Sequence, residues 1–169
     1  MKLFISLLIL GCLFSCKENT DNKQQTDENN TASLITKKTI QNLNFLEFGL
    51  DNKVKKITKN WEKYTELESV ILNLKQADLS YFKDNHEILE ALITDLKQTV
   101  PKKLDSPAIV SRLIALETKI YKLESVVNLS NSSTETLISS IKEVLISFSN
   151  LNLQMNKKIE RESQKIKKP

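Results

Sequence analysis

Residues 106–155 read SPAIVSRLIALETKIYKLESVVNLSNSSTETLISSIKEVLISFSNLNLQM. Ile109, Leu113, Leu116, Ile120, Leu123 and Val127 recur at alternating spacings of four and three. So do Leu137, Ile141, Val144, Phe148, Leu151 and Met155. One face of an α-helix repeats every 3.6 residues, so each set predicts a helix with an apolar seam in heptad register. Ser106-Pro107 predicts the first start: serine caps free amide groups, and proline fits the first turn, where no N–H is needed. Ser132-Ser133-Thr134-Glu135 reads as an S-x-x-E capping box that opens the second helix. Val110, Ile114, Ile138 and Leu145 flank the two seams and predict stripes broad enough to need more than one neighbouring helix.

Working upstream, Val54, Ile57, Trp61, Tyr64, Leu67, Ile71 and Leu74 predict one helix over 51–75. Leu79, Phe82, His86, Leu89, Ile93 and Leu96 predict another over 79–100, closed by Val100-Pro101 because the residue before proline avoids the α region. Residues 34–50 read as a short packing segment of one or two helical turns ended by Gly49, with Phe45 and Phe48 off its helical face. Connections of a few residues make neighbouring helices antiparallel. The expected fold is all-α: an antiparallel up-down bundle of about four helices with coiled-coil-like packing, spanning 34–169. Past Met155 only Ile159 and Ile166 are apolar, so a basic C-terminal tail is expected to project.

Composition agrees. The chain has 169 residues, of which only 2 are glycine and 3 proline, too few for tight hairpins or phosphate cradles. With 25 basic and 21 acidic residues, the charge is too balanced for a nucleic-acid binder.

The first residues have a different character. Met1-Lys2 is a short basic start, Leu3 to Leu10 is apolar apart from Ser6, and Gly11-Cys12-Leu13-Phe14-Ser15-Cys16 follows. The apolar run is too short to span a bilayer but has the size of a secretory leader core. Leu13-Phe14-Ser15-Cys16 resembles the lipobox of bacterial lipoproteins. That resemblance implies removal of the leader, residues 1–15, then S-diacylglycerol attachment and N-acylation at Cys16, with palmitate among the acyl groups. Ile9-Leu10-Gly11-Cys12 fits the same pattern. Cys16 is preferred because cleavage before Cys12 would leave a very short leader core and retain Leu13-Phe14 as an apolar stub. The competing reading is a Cys12–Cys16 disulfide or two buried thiols. With Cys16 lipidated, no cysteine remains for redox or metal chemistry.

After Cys16 comes KENTDNKQQTDENNTAS, residues 17–33, with one alanine and nothing larger that is apolar. Such a stretch cannot bury enough surface to offset its ordering entropy, so 16–33 is expected to be a lipidated cysteine on a disordered tether. Its reach is at most ~58 Å extended. Lys17-Glu18 loosely resembles the charged tract of surface-exported lipoproteins of Bacteroidota. More broadly, Cys16-Lys17, Trp61-x-x-Tyr64, Thr99-Val100-Pro101, Ser106-Pro107-Ala108 with Arg112-Leu113, and Gln154-Met155-Asn156-Lys157 resemble uncharacterised helical lipoproteins of flavobacteria. The resemblance implies a lipid-anchored protein of the bacterial cell envelope, at the outer membrane with its face left open. It implies no activity.

Chemistry is sparse in the remainder. His86 is the sole histidine and falls in the seam of its predicted helix, where it reads either as a pH-sensitive hinge or as a boundary residue bonding across the bundle. A concave site in which it met two carboxylates would restore a catalytic reading. One histidine makes poor metal-binding material, so no metal, cofactor or catalytic residue is expected. The scattered carboxylates, Glu62, Glu117, Glu124 and Glu143 among them, read as solvated helix faces paired with lysines three or four residues away. Trp61, Tyr64 and Met155 read as core. Two basic zones stand apart: Lys53, Lys55, Lys56 and Lys59, and residues 157–168 with six basic and two acidic side chains. They suit anionic head groups or wall polymers, or simply solubilise helix ends. The expected function is a non-catalytic helical interaction or structural module facing an envelope protein partner. The alternative is a carrier of an apolar ligand or lipid between helices.

Overall fold

The structure is a computed structural model that describes residues 35–164. The leader, Cys16, the tether and residues 165–169 lie outside the described residues. What is described is all-helical: α1 (Lys37–Gln41), α2 (Asn52–Thr58), α3 (Glu62–Lys75), a 3-10 turn (Ser80–Phe82), α4 (His86–Gln98), α5 (Pro107–Asn128) and α6 (Thr134–Ser163). No described helix is long and apolar enough to cross a membrane.

The α5–α6 hairpin follows the sequence closely. Ser106 caps α5 by accepting from the Ile109 amide, with Pro107 in the first turn. The α6 seam is buried throughout, and so is that of α5 except Val127, which is half-buried while Val126 packs inward. Burying each such side chain is worth about 1.5–3 kcal/mol, so this seam organises the core. The cap of α6 sits one residue later than expected. Ser133 accepts from the Thr136 amide, while the Ser132 hydroxyl turns back to the Val126 and Leu129 carbonyls that end α5. Val110 and Ile114 do not widen the stripe; both are exposed. The last turn of α4 reaches α5 at Glu117, which accepts from Lys97 at 2.6 Å. Val110 and Ile114 lie on α5 turns ahead of that contact.

Upstream, the long expected helices are broken. The 51–75 stretch divides at Trp61, which leaves the helical conformation and donates its indole N–H to Thr99 Oγ1 at 3.1 Å. Trp61 stacks on Tyr64 at 5.4 Å, and Tyr64 on Phe148 at 5.9 Å, so both rings fill the core. The 79–100 stretch yields α4 only from His86. Asp84 takes a left-handed φ of 55°, and the Asp78 and Asn85 side chains bond to the Ser80 backbone, which winds the chain into turns. Leu79 and Phe82 stay buried nonetheless. Charge pairing also differs: Glu117 and Glu143 bind lysines of a neighbouring helix, Lys97 for the first and Lys119 and Lys122 for the second.

Residues 43–51 form an extended strap along α6. Ser149 Oγ accepts from the Phe48 amide at 2.7 Å and donates to Leu46 O at 3.0 Å. Asn152 donates to Phe48 O at 3.1 Å, and Asn156 donates to Gly49 O at 2.8 Å while accepting from the Asp51 amide at 2.9 Å. The helical part of this segment ends at Gln41, not at Gly49. Nothing crowds a Cβ at Gly49, and its φ is not positive, so neither a helix end nor a steric need for glycine exists there.

Two expectations follow. Asn152 also accepts from Tyr64 OH at 2.7 Å. Burial, then the charge of Glu68, raises the Tyr64 hydroxyl pKa well above its ordinary value, with the Asn152 bond acting in the opposite direction. A raised folded-state value means the fold keeps the proton after the unfolded chain loses it. The contribution is complete below about pH 10 and declines above it. Tyr64→Phe should lose about 1–2 kcal/mol in urea unfolding at pH 7 and show a shallower decline above pH 10. At the end of α3, Ala77 has φ 69°, with its amide on Leu74 O and the Asp78 amide on Asn73 O. This arrangement favours glycine. Ala77→Gly should raise stability by about 0.5–1 kcal/mol in thermal unfolding.

Candidate functional site

The start of α4 meets the end of α5 around Asn128. Its Nδ2 donates to Phe82 O and to Glu124 O, both at 2.9 Å, and its Oδ1 accepts from the Asp84 amide at 3.0 Å. One carboxamide thus holds the 82–84 backbone in the path that its left-handed Asp84 requires. That path sets His86 at the first position of α4, with Nδ1 2.9 and 3.1 Å from the two oxygens of Glu124. The Glu124 side chain is 12% exposed and the His86 ring 65%. Tyr121 lies 5.9 Å from the ring at a tilt of 45°. Partial burial, then the charges of Glu117, Glu90 and Glu124, raise the Tyr121 hydroxyl pKa.

His86, Glu124 and Asn128 border an open cleft of about 500 Å³, with Asp84, Asn85, Glu87 and Ile88 completing its lining. The arrangement is a carboxylate holding an imidazole by one nitrogen, which is half of a base-and-orienter device. The other half is missing from the lining, which offers no hydroxyl or thiol nucleophile. His86 bonds one carboxylate, Glu124; Asp84 and Glu87 line the same cleft without bonding to the ring. Among the described residues no group of three or more His, Cys, Asp and Glu side chains could hold a metal ion.

His86 bonds across to the neighbouring helix, as a boundary histidine does, but at a helix start and not in a seam. Glu124 stood in the sequence as one more scattered carboxylate, with nothing to tie it to His86. The spacing of four from Glu124 to Asn128 on one helix flank, beside Leu123 and Val127, is the signal that pairs those two. The lipidation residue Cys16 lies outside the described residues.

A second cleft, of about 380 Å³, opens between α1, the strap, α3 and α6. Ile40, Leu43, Phe45 and Leu145 supply its apolar walls, and Lys75 with Glu47 forms an ion pair at its edge. Its size falls in the range of small-molecule sites.

Replacing Asn128 by alanine removes three hydrogen bonds and frees the 82–84 turn. Urea unfolding should report a loss of about 1–2 kcal/mol, against under about 0.5 kcal/mol for the exposed Ser125→Ala. Hydrogen exchange at the Asp84 amide should speed up in the Asn128 variant alone.

Set against known proteins, the chain matches no family model, no curated protein and no solved structure.

Proposed function

We propose that this protein is a lipid-anchored lipoprotein of the bacterial cell envelope, at the outer membrane, whose helical body is a non-catalytic interaction or structural module. The observation that carries the reading is the N-terminal pattern: the apolar run to Leu10, then LFSC ending at Cys16, then a polar stretch through Ser33. The rest of the chain fits that role. Most of its described large apolar residues pack into a core that begins at Ile35, and the lining around its imidazole–carboxylate pair holds no hydroxyl or thiol.

Within this reading the body is an up-down antiparallel bundle of α3, α4, α5 and α6 with coiled-coil-like packing. Side-chain links join the helices in order, which supports it: Lys63 to Asp95, Lys97 to Glu117, Lys119 to Glu143, and Tyr64 to Asn152 between the last helix and the first. Exposed Ile88, Val110, Ile114 and Leu129 give such a module apolar points of contact for an envelope protein. The second reading is a carrier of an apolar ligand, which the 380 Å³ cleft favours.

One preparation tests both. The full chain, expressed in a bacterium fed a clickable palmitate analogue, should take up label and fractionate with membranes. Cys16→Ser should lose the label while Cys12→Ser keeps it. Label retained on Cys16→Ser, or absent from the wild-type chain, refutes the anchor at Cys16. In native mass spectra of the same protein, mass beyond the acyl groups would favour the carrier, and its absence the interaction module.

A further inference from the structure

The two basic zones that the sequence separates by about a hundred residues meet in space, and a third joins them. The Asp51 amide bonds to Asn156 Oδ1, which sets α2 against the last turns of α6; Lys53 lines a small cleft there with Ile159, Glu160 and Ser163. Trp61, just after α2, bonds to Thr99 and so brings in the 99–106 connection with Lys102 and Lys103. Lys53, Lys55, Lys56, Lys59, Lys102 and Lys103 are all exposed, and none has an ion-pair partner among the described residues. Lys157 and Lys158, beside them on α6, are held by Glu160 and Glu162 at 2.9 and 2.6 Å. The acidic residues here are Asp51, Glu62, Asp105, Glu160 and Glu162, fewer than the basic ones.

At the other end, among the described residues, Asp84 and Glu87 line the cleft at the start of α4, Asp78 lies in the 76–85 turns with Lys83 their single cation, and Glu135 stands in the first turn of α6. From Glu135 to Arg161, α6 carries the separation over about 40 Å. Among the described residues, the excess of free cations thus lies at one end of the longest helix.

We propose that the basic end, formed by α2, the 99–106 connection and the last turns of α6, lies on an anionic lipid surface and orients the body with the His86–Glu124 cleft facing away. The chemistry of the face selects this partner over a nucleic acid. Its free cations, Arg161 apart, are lysines, compact point charges that need no bidentate geometry, and the one tryptophan beside them is buried and cannot stack on a base. A diffuse set of ammonium groups suits mobile head groups, where each lysine adds about fivefold to affinity. Chain length permits it. The described chain begins at Ile35, near α1, which packs by the middle of α6. Eighteen residues separate Cys16 from Ile35. Their contour of ~60 Å exceeds the roughly 20 Å from Leu145 to Ile159 along α6. For its location the inference rests on the lipid-anchored reading, but its test does not use the anchor.

The chain from Lys17 to Pro169 lacks leader and lipid yet keeps every residue of the described core. It should float with vesicles containing phosphatidylglycerol at low salt, stay unbound with pure phosphatidylcholine, and be released by high salt. Lys53→Glu, Lys56→Glu, Lys102→Glu and Lys103→Glu together should weaken flotation at least about tenfold, and the matching four glutamines by less. The same reversal at Lys37, Lys38, Lys83 and Lys142 should leave it near wild type, with circular dichroism confirming the helical fold of each variant. No preference for anionic vesicles, equal loss in both reversed variants, or displacement by a small excess of DNA would overturn the proposal. Failure here leaves the Cys16 labelling result untouched, so the two readings fail separately.

Discussion

The buried carboxamide of Asn152 is where three parts of the chain are made to agree. It accepts from the Tyr64 hydroxyl of α3, donates to the Phe48 carbonyl of the strap, and belongs to α6. A buried polar group without partners costs about 1–3 kcal/mol, so no arrangement that moves one of the three elements alone is cheap. Satisfying it fixes the register of the strap on α6 and the rotation of α3, and Tyr64 in turn sets the ring stack from Trp61 to Phe148. The apolar seams make the helices associate; this amide decides how they sit once associated.

Polar residues at element boundaries repeat that logic. Ser149 and Asn156 extend the ladder on either side of Asn152, and Asn128 does the same job for the turn before α4. Ser140 is the exception, a buried hydroxyl on α6 next to Ile141 with no partner among the described residues. With so few glycines, the chain uses Ala77 and Asp84 for its left-handed turns, and the hydrogen bonds around them hold those conformations in place.

The parts of the fold that were legible in the sequence are those where hydrophobic period alone decides. The a and d positions of α5 and α6, the Ser106-Pro107 start and the core placement of Trp61 and Tyr64 all follow from residue type and spacing. The breaks at Trp61 and at residues 83–85 were not legible, because no proline or glycine marks them. They exist because distant groups, Thr99 for one and Asn128 for the other, reward a departure from the helix. The strap was hidden for the same reason: Ser149, Asn152 and Asn156 follow Phe148, Leu151 and Met155 on α6 and look like ordinary polar neighbours until their partners about a hundred residues away are known. The His86–Glu124 pair had the right residue types in view but no local spacing to join them.

The strap also has a kinetic meaning. Its bonds to α6 join residues 101 to 107 positions apart, so each closes a loop that takes in nearly the whole body. Loop-closure entropy must be met before such contacts return any energy, whereas the α5–α6 hairpin closes locally. The hairpin is thus the natural nucleus and the strap the last piece to dock. On the reverse path it is the first to lift, exposing the flank of α6 while the core beneath stays intact. If the chain is anchored at Cys16 as proposed, a pull from that side would reach the strap before the helices it covers.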